Sequence, residues 1–255
     1  MLAAVLAACS SRGHSQSVPQ NVLWLPLGDS ITFGCTGPTI QDCHTFGGGY
    51  RIPLAFALSQ PPLGDPTLLG FNVTTMGTDT TGPSYVPAQW LKHCGFPGWT
   101  IPEMDDYLPQ AFASNNARPD LITIHLGTND CNHNHTLAEM TADMNSLLNH
   151  TFIDSPLSHV FLADVIATGK FFNPCVVAFN AVVPTIVTNW TARGMRVTHV
   201  PMYSEVHMCG DSGDDFNLCG SGQVHPTSAG YPRMASAFAL SIMKYFNRTT
   251  AAPEL

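Results

Sequence analysis

Five short apolar runs, rich in β-branched residues, punctuate the chain at 21–27, 70–76, 121–126, 159–166 and 196–202. Each is four to eight residues of nearly unbroken hydrophobicity bounded by small or polar residues, the pattern of a strand covered on both faces. Between them the apolar spacing changes to that of a helix. "YRIPLAFAL" follows the first run, with Pro53 placed in a first turn. "TIPEMDDYLPQAFA" opens on Thr100 with Glu103 three residues later, the signature of a capping box. "TLAEMTADMNSLLNHTF" aligns Leu137, Met140, Met144, Leu147 and Leu148 on one face. "VVAFNAVVPTIVTNWTARG" predicts a further helix, stopped by Gly194 at C′. "SAGYPRMASAFALSIMKYF" closes the series.

Strands alternating with helices predict an α/β protein with a parallel sheet. Right-handed crossovers wind the helices onto both faces, giving a three-layer α/β/α sandwich around a doubly wound five-stranded sheet. In such a sheet, ligands sit at the carboxyl ends of the strands. No linker divides 21–250, which is expected to be a single domain after a leader over 1–20.

Composition narrows the class. Hydrophobic residues make up 44% and charged residues 11%, enough for a filled core. A net charge of −8 argues against nucleic acid as a partner. No apolar run reaches the roughly 20 residues of a membrane span. The start, "MLAAVLAACSSRG", resembles the end of a secretory signal, with lipid attachment at Cys9 as the alternative. Eight cysteines and five N-x-Ser/Thr sequons, at Asn72, Asn134, Asn149, Asn189 and Asn247, favour secretion. Cys35 with Cys43 and Cys209 with Cys219 are spaced to close local loops; Cys94, Cys131 and Cys175 remain. A bridge from Cys94 to Cys131 would join two loops of the candidate site. A monomer is expected.

The strand ends carry the candidate chemistry. Gly28-Asp29-Ser30 follows the first run and Gly127-Thr128-Asn129-Asp130 the third. "CGFPGWT" (94–100) and "QVHPTSAGY" (223–231, with His225) complete the set. A serine hydroxyl is a weak nucleophile until a base takes its proton, and histidine has the pKa for that. The oxyanion formed on attack needs preorganised donors, which the Ser30 and Gly98 amides and the Asn129 side chain can offer.

These four blocks, in this order, resemble the SGNH (GDSL-type) hydrolases. The resemblance runs over 22–245 and implies that family's flavodoxin-like fold, Ser30 as nucleophile, His225 as base, and Ser30, Gly98 and Asn129 as oxyanion hole. No cofactor is implied. "GGGYRIPLAFAL", "GFPGWTI" and "HLGTND" narrow the resemblance to carbohydrate esterase family three, secreted acetylxylan esterases. The implied substrate is an acetylated polysaccharide or another small acyl ester.

One position departs from the pattern. The family carries Asp three residues before the histidine; here it is Gly222. Asp211, Asp214 and Asp215 lie upstream, and Asp215 is the nearest substitute, with a Ser–His dyad as the alternative. Asp29 and Asp130 are expected to organise turns. Tyr50 and Trp99 line a pocket or merely pack, and Arg51 secures the first helix. "CNHNH", with His133 and His135, lacks a metal-ligand partner set and reads as a polar loop, so no metal is expected. The competing functions are a short-chain acyl esterase or lipase on the same scaffold, and a carbohydrate-binding protein with an impaired site.

Overall fold

The central strand is the first. In a computed structural model, β1 (Asn21–Gly28) is buried at nearly every position and pairs on both sides. The structure describes residues 20–37, 43, 47–61, 70–167, 173–205 and 224–246. On one side β1 meets β2 (Asn72–Thr75) and, nearer its end, β3 (Cys94–Gly95). On the other it meets β4 (Leu121–His125), followed outward by β5 (His159–Ala163) and β6 (Val197–Val200). All pairings are parallel, in the order β2-β1-β4-β5-β6. The order reverses between β1 and β4, so the crevice for a ligand opens at their carboxyl ends.

Strand pleat sorts the side chains into two layers. Val22 and Trp24 of β1 pack with α2 (Arg51–Ser59) and α9 (Gly230–Tyr245). Leu25 and Leu27 turn to the opposite face. There they meet α3 (Ile101–Ala113), α5 (Leu137–Asp154), α6 (Asn173–Asn180) and α7 (Val183–Ala192). Each such aliphatic side chain contributes about 1.5–3 kcal/mol on burial. Trp24 is fully buried, and its indole N–H donates to Thr123 Oγ1 across the sheet at 2.9 Å.

The expected three-layer α/β architecture is thus formed, with differences in detail. The two-residue β3 adds a sixth strand. The run 159–166 ends as a strand at Ala163, because the Asn180 side chain takes over both backbone groups of Val165, at 2.9 and 2.8 Å. The helix expected over 176–194 is two helices. Pro184 cannot donate to the carbonyl one turn back, so α6 ends at Asn180 and Pro184 enters the first turn of α7. Gly194 does take the left-handed C′ conformation, with φ +84°. Residues 173–192 together are apolar and long enough to cross a membrane. Here they form two helices whose Val176, Phe179, Val183, Ile186 and Trp190 pack into the core.

Cys35 bridges Cys43 as expected. The Cys94–Cys131 bridge is not formed: Cys131 pairs with Cys175 of α6. The reason is placement. Cys94 is fixed on β3 beside β1, 3.8 Å from Thr78 Oγ1, and remains a buried thiol. Cys209 and Cys219 lie outside the described residues.

Candidate active site

At the end of β1 the chain turns through Gly28 and Asp29 into α1 (Ser30–Phe33). Gly28 leaves no choice of residue: an added Cβ would lie 2.0 Å from Thr32 Oγ1 and 2.7 Å from the His125 carbonyl oxygen. Asp29 caps α1 by accepting from the Ile31 amide at 2.9 Å. Ser30 is the first residue of α1, so its own amide has no acceptor within the helix. The residue is only 7% exposed.

His225 arrives from the segment before α9. Its Nε2 stands 2.7 Å from Ser30 Oγ. A contact of that length is a hydrogen bond; in the tautomer that carries its proton on Nδ1, the hydroxyl donates and Nε2 accepts. Residues 195 apart in sequence therefore meet at the carboxyl end of β1.

The third block is carried by α4 (Thr128–Asn132), opened by Gly127 at φ +123°. The Asn129 amide nitrogen donates to the Trp99 carbonyl at 2.8 Å. That bond fixes which end of the side chain is NH2 and leaves its second hydrogen available. It also ties the third block to the second. The second block is further held to β1 by the β3 pairing and by the Phe96 amide, which donates to the Gly28 carbonyl at 3.0 Å. Gly98 is exposed, with φ +87° and open space where a Cβ would project. Backbone conformation, not crowding, is what requires glycine there.

Two acids flank the site, and both act on the backbone. Burial pushes Asp29 up to about 7 against the cap bond to Ile31, so its acid form persists near neutrality. Asp130 is also buried and raised, and its oxygens accept from the Ile101 amide at 3.1 and 3.2 Å. Asp130 therefore holds the start of α3, which follows directly on Gly98 and Trp99. Thr100 and Glu103 complete that start with their mutual bonds.

Arg51 does not face substrate space. It is fully buried and donates to the carbonyls of Thr32, Phe33, Thr81 and Leu91, at 2.7 to 3.2 Å. It secures α1, as well as the helix it begins. Burial outweighs the neighbouring acidic groups and lowers it to about 10. Tyr50 is equally buried, packed on Phe238 and bonded to Thr32, which removes it from any pocket lining. Trp99 stays partly exposed and packs with Phe96 and Tyr107, at 4.2 and 5.1 Å between centroids. Asp211, Asp214, Asp215 and Gly222 lie outside the described residues.

Sequence reasoning missed three supports of this site: the β3 pairing, the Trp99 carbonyl and the Cys131–Cys175 bridge. A two-residue strand has no periodicity, and backbone acceptors leave no trace in residue type. The bridge had a visible signal, the unpaired cysteines, with nothing to select the partner.

Comparison with known proteins bears on the family and the fold. The family model described as GDSL-like Lipase/Acylhydrolase matches residues 27–233. A multidomain esterase of Ruminococcus flavefaciens is 23% identical over 94% of this chain. The match covers 31% of that protein, so the chain spans about a third of its length. A family 3 carbohydrate esterase of Clostridium thermocellum superposes with a TM-score of 0.71, at 24% identity, over 89% of this chain and 98% of that one. A family 3 carbohydrate esterase of Talaromyces cellulolyticus superposes at 0.66, with 21% identity over 89% and 98% of the two chains.

Proposed function

Because the chain belongs to the GDSL-like lipase/acylhydrolase family, a family of carboxylic ester hydrolases, we propose that it removes acetyl groups from carbohydrate through an acyl-enzyme on Ser30. The observation that carries this reading is the 2.7 Å contact between Ser30 Oγ and His225 Nε2. The two structural neighbours described above are named family 3 carbohydrate esterases and superpose better than the lipase/acylhydrolase of Enterococcus faecalis, at a TM-score of 0.61, which favours carbohydrate over lipid. A secreted protein is the matching setting, and the two described disulfides agree with an oxidising compartment.

In the proposed reaction Ser30 Oγ attacks the ester carbonyl while His225 Nε2 takes the hydroxyl proton. The carbonyl oxygen becomes an oxyanion that accepts from the Ser30 amide, the Gly98 amide and the Asn129 side chain. Collapse expels the sugar hydroxyl, which receives the proton from His225. Water then attacks the acetyl-serine with His225 again as base. Acetate leaves and the free hydroxyl is restored. Asp215 is assigned the role of orienting the His225 ring.

Acetate release from acetylated xylan, run beside p-nitrophenyl esters of rising chain length, tests this. Acetylated xylan should be the better substrate, and Ser30→Ala should abolish turnover of all of them. Preference for butyryl or longer esters would make the protein a general acyl esterase. Equal acetate release by Ser30→Ala would remove the serine mechanism altogether.

A further inference from the structure

On α4, the turn after it and α5, three titratable side chains of one short stretch of chain gather together. Asp130 is fully buried on α4. After α4 the chain reverses through Asn134, which takes a left-handed φ of 60°. The turn is fastened by the His135 amide donating to the Asp130 carbonyl at 3.0 Å. It brings His135 Nδ1 to 3.3 Å from Asp130 Oδ1. That nitrogen is shielded from solvent and has no hydrogen-bond partner, although 31% of the side chain is exposed. Asp143, half-buried on α5, supplies the third group, and the three ligand atoms lie within 4.8 Å of one another.

We propose that Asp130, His135 and Asp143 bind one divalent transition-metal ion of the zinc type. An imidazole nitrogen with two carboxylate oxygens suits such ions better than calcium or magnesium, which take oxygen ligands alone. Tetrahedral zinc holds nitrogen and oxygen at about 2.0–2.2 Å, so its ligand atoms stand roughly 3.4 Å from one another, close to the 3.3 Å between His135 Nδ1 and Asp130 Oδ1. The group therefore closes on an ion by a small rotation of Asp143. In the tautomer that carries its proton on Nε2, His135 Nδ1 presents a lone pair to the ion beside Asp130 Oδ1. The Ile101 amide already bonded to Asp130 stands as the outer partner that orients a metal-bound carboxylate. In the sequence the spacing Asp130, His135, Asp143 follows no familiar ligand pattern, which is why "CNHNH" read as a polar loop.

The ion would act as a strut. It would join α4, the turn after it and α5. Through Asp130 it would also hold the start of α3, and so steady the segments that carry Asn129 and Gly98. The reacting atoms are not its ligands.

Zinc titration of the chelator-treated full chain, followed by calorimetry and by thermal melting, tests the site without any turnover. One equivalent should bind, and the melting temperature should rise by several degrees. His135→Ala and Asp143→Asn should each weaken binding at least about tenfold and erase the melting shift. His133→Ala, which removes the exposed neighbouring imidazole, should leave both intact. Circular dichroism checks that the variants fold; both replaced side chains are partly exposed. Failure of the wild-type chain to bind zinc overturns the proposal. So does binding that survives both substitutions, which would mean adventitious capture by surface histidines.

Discussion

At Asn129 one side-chain amide serves two partners. One hydrogen goes to the Trp99 carbonyl, and in the proposed reaction the other goes to the oxyanion. Asn129→Ala should lower kcat by about 10²–10³ with little change in KM, since the second bond forms only as charge develops. Steady-state kinetics on an acetyl ester separates the two constants; an equal loss in KM would mean that Asn129 binds ground-state substrate. Gly98→Ala makes a complementary case. The methyl has free space, yet φ +87° is costly for alanine, so the backbone amide should shift out of line. Its kcat should fall while the melting temperature moves by only a few degrees. Asp215→Asn should cut kcat by up to about 10⁴-fold if its carboxylate orients the imidazole. Unchanged kcat would leave a Ser–His dyad.

Among the elements, α4 is short for the work it does. Five residues carry Asn129 and Asp130, and the covalent hold on them is Cys131–Cys175. The bridge closes a span of 44 residues, worth about 4 kcal/mol in the chain-entropy view. Cys175→Ser should therefore lower the unfolding free energy by several kcal/mol, read by urea titration. Loss of under about 1 kcal/mol would show that packing of α6 alone suffices. Long elements were legible because their signals repeat; the capping box of Thr100 with Glu103 forms as spelled, and a second, Thr136 with Glu139, is found in the structure. Less legible were features set by one contact. Asn180 ends β5 from another element, and Pro184 divides a helix whose apolar pattern runs on without interruption. Of the candidate site, Ser30, Gly98, Asn129 and His225 stand out in the sequence because the proposed chemistry needs a particular side chain, or the lack of one, at each. Tyr50 was not separable from a pocket residue, since burial beneath α9 depends on tertiary packing.

Across the whole molecule, burial of histidine sets the response to acid. His93, His125 and His159 are held neutral, each lowered to about 4, with desolvation the largest cause. Their unfolded counterparts take up a proton near pH 6.5. Between about 6.5 and 4 the unfolded chain therefore binds protons that the native chain refuses, and stability falls as pH falls. Each histidine contributes up to about 1.4 kcal/mol per pH unit in that window. Asp29 works in the opposite sense: its raised pKa favours the native state as pH drops from about 7, and Asp130 and Asp143 share that direction. His125→Gln isolates one histidine, because a glutamine oxygen can still accept from the Ile166 amide. Relative to this variant, the wild-type chain should lose stability with decreasing pH by about 1.4 kcal/mol per unit. A difference that stays constant with pH would place the proton uptake elsewhere.

In the proposed mechanism His225 activates Ser30, 195 residues away, as a nucleophile. A fluorophosphonate probe, followed by peptide mass spectrometry, tests it most directly, because it reports attack by the serine without reference to any substrate. The wild-type chain should carry one adduct, on Ser30, and His225→Ala should label at least about 10³-fold more slowly. An unlabelled wild-type chain, an adduct on another residue, or labelling of Ser30 at the same rate in His225→Ala would contradict it.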